Sequence, residues 1–108
     1  MVQHMDMERT MKHDESVAQL SDIFSLLGEP TRLRIVLACF DAPRTVGDIA
    51  MDMNVSASLI SHHLRLLRAT RIIHAERVGK NVFCSLTDEH IRTILGNMLE
   101  HIDESEEH

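Results

Sequence analysis

A mainly helical domain with one small β-hairpin is the fold class this sequence predicts, and three observations predict it. Apolar residues recur at helical spacing over most of the chain. Two short helical stretches, each opened by a capping hydroxyl, are separated by a tight turn near Asn54. One strand-like interval follows, with Gly79 at its centre, before helical spacing returns. Helix, turn, helix and hairpin in that order read as a winged helix-turn-helix. Apolar stripes on the first and last helices predict pairing of two copies into a homodimer.

The elements follow in order. Residues 1–13 are Met-rich and polar without sustained periodicity, and are expected to be a disordered tail. Residues 14–104 form the folded domain. Its first helix carries Val17, Leu20, Ile23, Phe24 and Leu27 on one stripe and ends at Gly28. Pro30 opens the second helix, since proline suits a helix's first turn, and Leu33, Ile35, Val36, Leu37 and Phe40 make it largely buried. Asp41-Ala42-Pro43 breaks it. Thr45 caps the third helix, with Asp48 at its third position. Asn54 tolerates the left-handed turn, and Ser56 caps the fourth helix, which reaches about Arg68. Ile72 to Ala75 and Val82 to Leu86 are the hairpin strands. Thr87 is expected to cap the final helix, where Ile91, Ile94, Leu95, Met98, Leu99 and Ile102 form a strong stripe. Residues 105–108 are an acidic tail.

With 108 residues the chain is one domain; 44% of it is hydrophobic and 3% aromatic, which favours helix-on-helix packing. No apolar run is long enough to span a membrane, and the polar N-terminus is unlike a secretion signal. Cys39 and Cys84 form no C-x-x-C motif and are expected to be reduced core thiols of a cytoplasmic protein, a disulfide between them being the alternative.

The net charge of -6 is unevenly placed. From Asn54 to Leu86 there are five bases and one acid; from Thr87 to His108 there are seven acids and one base, Arg92. The segregation suits one face for a polyanion and one end for a cation.

In the fourth helix Leu59, Ile60, Leu64 and Leu67 are expected to face the core. Ser58, Ser61, His62 and Arg65 occupy the opposite stripe. Serines near the helix N-terminus, with Ser56, suit phosphates or base edges, and Arg65 suits phosphate or guanine. Arg77 and Lys80 flank Gly79 on the wing and suit the sugar-phosphate backbone. The expected partner is double-stranded operator DNA, bound by a dimer on a palindrome.

Asp88, His90, His101 and Glu104 form a D-x-H-x10-H-x2-E pattern. His101 and Glu104 share a helix face, and Asp88 and His90 sit together at the helix start. The two pairs are separated by roughly 16 Å of helix rise, whereas zinc–nitrogen bonds are about 2 Å. One chain therefore cannot close the site. An antiparallel copy of the same helix brings one subunit's Asp88 and His90 to the other's His101 and Glu104, making two identical sites. Gly96, near the midpoint, either lets the two helices approach closely or is a tolerated defect. Two imidazoles and two carboxylates suit tetrahedral Zn2+ and tolerate Co2+ or Ni2+.

The stretches Leu27-Gly28-Glu29-Pro30-Thr31-Arg32-Leu33-Arg34-Ile35, Val46-Gly47-Asp48-Ile49-Ala50, Val55-Ser56 and Ser61-His62-His63-Leu64-Arg65-Leu66-Leu67, with the wing Arg77-Val78-Gly79-Lys80, resemble the ArsR–SmtB metal-sensing repressors over residues 17 to 104. The resemblance implies a dimeric winged-helix repressor released from its operator by metal. It implies the C-terminal-helix zinc site at Asp88, His90, His101 and Glu104. The family's cysteine site near the third helix has no counterpart, because Thr45 stands where the cysteine would be. Similar C-terminal sites in the family serve nickel and cobalt with N-terminal ligands, so His4 and His13, and also His108, are further candidates. If Met1 is removed, His4 becomes third in a chain with a free amine, a chelate suited to square-planar nickel or copper. The chain is not expected to be an enzyme: four protein ligands leave no open position for activated water. A small zinc enzyme and a DNA-binding protein without a ligand remain the competing classes.

Overall fold

The structure, a computed structural model, describes the backbone of residues 2–107 and the side chains of residues 13–104. Five helices and one small sheet follow in the order α1 (Val2–Leu27), α2 (Pro30–Ala38), β1 (Arg44–Thr45), α3 (Val46–Met53), α4 (Ala57–Ala69), β2 (Ile73–Val78), β3 (Asn81–Leu86) and α5 (Glu89–Glu107). The helix-turn-helix and the wing are both present. Helix α1 begins at Val2, so the backbone expected to be a tail is part of the helix. The stretch contains neither glycine nor proline and holds several strong helix formers. Helix α5 likewise extends to Glu107, past the expected boundary at 104.

Local chemistry sets most boundaries. At Gly28 an added methyl would lie 3.2 Å from the Phe24 carbonyl oxygen, so a side chain there would crowd the end of α1. Glu29 caps α2, its carboxylate accepting the Arg32 amide hydrogen at 3.0 Å, with Pro30 in the first turn. Arg32 Nε then donates to the Leu26 carbonyl at 3.0 Å and locks the α1–α2 turn. Thr45 Oγ1 accepts from the Asp48 amide at 3.0 Å, as its position before α3 predicts. Asn54 ends α3 in the left-handed region at φ 55°, and the Val55 amide returns to the Ala50 carbonyl at 3.0 Å. Ser56 Oγ accepts from the Leu59 amide at 3.1 Å and starts α4.

The sheet has three antiparallel strands in the order β1-β3-β2, one more than the expected hairpin. Arg44 pairs with Cys84 and Thr45 with Phe83, so β1 ties the entrance of α3 to the wing. Gly79 turns the hairpin at φ 62°, between Val78 and its partner Asn81. Glycine at the first loop position is the pattern of a type II′ turn.

The core lies between α2, α3, α4 and the sheet. Ile35, Val36, Cys39, Ile49, Ile60, Leu64, Leu67, Ile72, Ile73, Cys84 and Leu86 are buried. Cys39 and Cys84 are free thiols, as expected, and burial pushes Cys39 up to about 12. Two expectations of burial fail, and the stripes expected to pair two copies stay open. Leu33, Leu37 and Phe40 are only half-buried. Leu59 is exposed, because Ile60, Leu64 and Leu67 fill the α4 stripe and Leu59 lies about 100° round the helix from Ile60. Val17, Leu20 and Phe24 on α1 and Ile94, Met98, Leu99 and Ile102 on α5 stay open, Phe24 at 62% and Met98 at 57%. Only Ile23 and Leu27 of the α1 stripe, and Ile91 and Leu95 of the α5 stripe, reach the core.

Candidate functional site

The DNA-reading candidates lie where the helix-turn-helix places them. Ser58, Ser61, His62 and Arg65 are all exposed on α4, opposite the buried Ile60, Leu64 and Leu67. Ser56 is exposed at the N-terminal end of the same helix, but its hydroxyl oxygen is engaged as the cap. Arg77 is at the distal end of β2 and Lys80 in the turn beside Gly79; both are exposed. Arg65, Arg77 and Lys80 form no ion pair with another described residue. Exposed hydroxyls on the N-terminal half of α4, Arg65 about one turn further along it, and the cations of the wing suit a phosphate backbone.

His63 is a member of this region that sequence reasoning passed over. Its ring is half-buried under His62, the two centroids 5.6 Å apart in a T-shaped contact. Burial lowers its pKa, with the charges of Arg32 and His62 acting in the same direction against the carboxylate of Glu29. Its Nδ1 has no hydrogen-bond partner among the described residues. The adjoining histidine pair in Ser61-His62-His63-Leu64 was the available signal, since only one of two consecutive residues shares the outward face.

The metal-ligand candidates lie at both ends of α5. Asp88 stands immediately before the helix and caps it: Oδ1 accepts from the Ile91 amide at 3.1 Å. Thr87, expected to be the cap, instead donates its amide hydrogen to the Ile72 carbonyl at 3.1 Å and closes the base of the wing. Asp88 Oδ2 faces His90 Nδ1 at 3.6 Å, and the His90 ring is 90% exposed. The hydrogen bond from Ile91, and then the neighbouring His90, hold the Asp88 carboxyl below its usual range, so it is ionised at neutral pH.

His101 and Glu104 are exposed on the distal half of α5. The structure thus brings Asp88 to His90 but does not bring either to His101 or Glu104. Among the described residues no three His, Cys, Asp or Glu side chains converge on a site for a metal ion. That outcome is what ten intervening residues between His90 and His101 on one helix require. The donor set itself, two imidazoles and two carboxylates, fits a borderline divalent cation. The side chains of His4 and His108 lie outside the described residues, and His13 is exposed on α1.

Gly96 faces its own chain, with an added methyl lying 3.5 Å from Phe40 Cζ. That contact is ordinary in length, so glycine is not sterically demanded there.

Arg92 and Arg44 are two further residues whose roles the sequence concealed. Arg92 Nε donates to the Phe40 carbonyl at 2.9 Å, and its guanidinium also pairs with Glu89. Arg44 pairs with Asp52 across β1 and α3. Arg92 was visible as the single base between Thr87 and His108, a charge out of keeping with its surroundings.

Comparison with known proteins agrees with this architecture. The chain is 38% identical over 92 residues to the transcriptional repressor SmtB homolog of Synechocystis sp., covering 85% of this chain and 70% of that protein. It is 30% identical over 87 residues to the HTH-type transcriptional regulator NmtR of Mycobacterium tuberculosis, covering 81% and 72%. Its fold superposes on the homodimeric winged helix-turn-helix DNA-binding domain Mb0332 of Mycobacterium bovis with a TM-score of 0.83, at 21% identity and 90% coverage of both chains. The family model for bacterial regulatory proteins of the arsR family matches residues 29–75, the segment from the cap of α2 into β2. The chain belongs to the arsR family of bacterial regulatory proteins, transcription repressors built on a DNA-binding winged helix.

Proposed function

We propose that this chain is a metal-responsive repressor that binds double-stranded operator DNA as a homodimer in the cytoplasm and leaves it when zinc binds. Each of two sites joins Asp88 and His90 of one subunit to His101 and Glu104 of the other. The observation that carries this reading is the composition of α5. Its middle is an exposed apolar stripe, Ile94, Met98 and Ile102, and its two ends hold the two halves of a ligand set. Antiparallel pairing through the stripe meets both requirements at once.

The similarity to a transcriptional repressor and to a homodimeric DNA-binding domain supports the DNA and dimer parts.

In the metal-free dimer, α4 of each subunit enters a major groove with Ser58, Ser61, His62 and Arg65, while Arg77 and Lys80 hold the flanking backbone. Two reading helices fit one DNA face only at a separation of about 34 Å or a multiple. Metal fixes the paired α5 helices in a register that alters this separation. The coupling is reciprocal, so operator DNA weakens metal binding by the same factor.

Operator-binding anisotropy titrated with zinc, cobalt and nickel tests the proposal, with cobalt absorption spectra reporting coordination number. Zinc should release the wild-type dimer, and cobalt should give a four-coordinate spectrum. His101→Ala should bind operator but no longer be released; a normal response would remove His101 from the site. Release by nickel or cobalt alone, with a six-coordinate spectrum, would assign the site to those metals with N-terminal histidines as added ligands. Arg65→Ala should weaken DNA binding and leave metal affinity unchanged. Metal-independent DNA binding, or zinc-dependent hydrolysis, would replace the proposal with one of the other classes.

A further inference from the structure

We infer that Arg92 is the positioning residue that couples α5 to the DNA-reading unit, by fixing the helix to the carbonyl of Phe40. The inference rests on the proposed metal-responsive reading of α5 and deepens it, since a signal made at α5 must reach α4 through some physical joint.

Among the described residues, helix α5 packs against the core through its first half. Ile91 and Leu95 pack on the core, Arg92 and Gly96 lie one turn apart over Phe40, and the residues beyond are exposed. Among these contacts, the Arg92 Nε–Phe40 bond at 2.9 Å is directional, charged and two-thirds shielded from water, spanning 52 residues of sequence. It also serves α2. Phe40 follows the C-terminal end of α2, where carbonyl groups lack helical partners and a cation is favoured. The guanidinium supplies both the donor and the charge.

From Phe40 the chain continues without another helix into the DNA-binding unit. Asp41–Pro43 lead into β1, where Arg44 pairs with Cys84 in β3 and with Asp52 in α3. Helix α3 in turn packs on α4 through the buried Ile49, Ala50 and Ile60. A rotation of α5 therefore acts on the α2 terminus and on the strand that positions α3. An apolar contact would let α5 slide, because dispersion contacts have little directional preference, whereas a planar guanidinium bonded to a carbonyl resists rotation. Glu89 holds the other side of the guanidinium and so keeps its plane aimed at Phe40.

The test uses the full chain as wild type, R92M and R92K. Operator affinity is measured by anisotropy with and without zinc, cobalt absorption reports the metal site, and circular dichroism reports folding. Zinc should weaken wild-type DNA binding by about 10-fold or more, a usual size for coupling between two sites. R92M should fold, bind metal-free operator and bind cobalt as wild type does, while zinc changes its DNA affinity by less than about 3-fold. R92K keeps the charge without the planar fork and should fall between, and it replaces R92M if that variant does not fold. A full zinc response in R92M overturns the inference.

If zinc does not release even the wild type, it is the metal-responsive reading that fails, and hydrogen exchange then judges the joint alone. R92M should raise exchange over residues 40–53 by about 10-fold, as expected for the loss of one charge-assisted hydrogen bond, and leave the wing unchanged. Unchanged exchange over 40–53 overturns the joint whatever the metal does.

Discussion

Asp88 Oδ1 accepts the amide hydrogen of Ile91 at 3.1 Å, so the residue proposed to bind metal also caps the helix that carries the other proposed ligands. The two tasks use different oxygens, since Oδ2 is the atom turned toward His90. They also separate by substitution. Asn caps a helix as well as Asp does but carries no charge. Asp88→Asn should keep the metal-free melting temperature and lower zinc affinity by at least about 10-fold. Asp88→Ala should lower both. Calorimetric melts and zinc competition titrations measure the pair, and unchanged zinc affinity in Asp88→Asn would exclude it as a ligand.

Met98 lies at the centre of the exposed α5 stripe. A carboxylate placed there would be buried without a partner if α5 pairs with its copy, a penalty of several kcal/mol. Met98→Glu should raise the dimer dissociation constant by about 100-fold or more by sedimentation. Zinc binding should fall with it, although no proposed ligand has been touched, because each proposed site joins residues of both subunits. A monomeric Met98→Glu that still binds zinc at wild-type affinity would show that one chain suffices.

The cap of α4 separates folding from DNA contact. Ser56→Ala removes the acceptor for the Leu59 amide and should cost about 1 kcal/mol in denaturant unfolding. Ser56→Asp keeps a cap and suits the positive end of the helix, so stability should hold. It also puts a negative charge where phosphate is expected, so operator affinity should drop. Equal operator affinity for Ser56→Asp and wild type would place this end of α4 away from DNA.

Glu29, the cap of α2, provides a pH signature. Its bonds from the Arg32 and Thr31 amides hold its pKa below its ordinary 4.5, helped by His63 and Arg32. A carboxylate whose folded pKa is depressed stabilises the fold above its unfolded pKa, and that contribution is lost as pH falls through the folded value. Glu29→Gln should therefore lower the melting temperature near pH 7 and flatten its decline below about pH 4.5. Melts between pH 3 and pH 7 give the comparison, and parallel curves for the two proteins would rule the cap out.

How much of this was legible beforehand depends on how far apart the interacting groups lie. Thr45 and Ser56 were identified as caps from their own neighbourhoods, as were the left-handed Asn54 and the glycine of the wing, because each acts within about four residues. The choice between Thr87 and Asp88 was not so readable, since both are good caps and the decision turns on Thr87 being drawn to Ile72. Strand β1 has only two residues, too few to show a period, and exists because β3 is there to pair with it. The α1 and α5 stripes were read correctly as apolar faces, but periodicity states that a face is apolar without saying what covers it.

The candidate metal site divides along the same line. The spacing of Asp88, His90, His101 and Glu104 excludes a site within one chain, because helix rise is constant and metal bonds are short. The order of helix, turn, helix and hairpin, and the outward stripe of Ser58, Ser61, His62 and Arg65, were likewise determined by the sequence alone. Only the tertiary structure decided that Arg92 reaches Phe40, that Gly96 faces that same ring, and that Leu59 is left outside the core. Caps, turns and stripes follow from bonds within a turn or two of helix, whereas these contacts depend on which distant segment arrives alongside, and no local pattern carries that information.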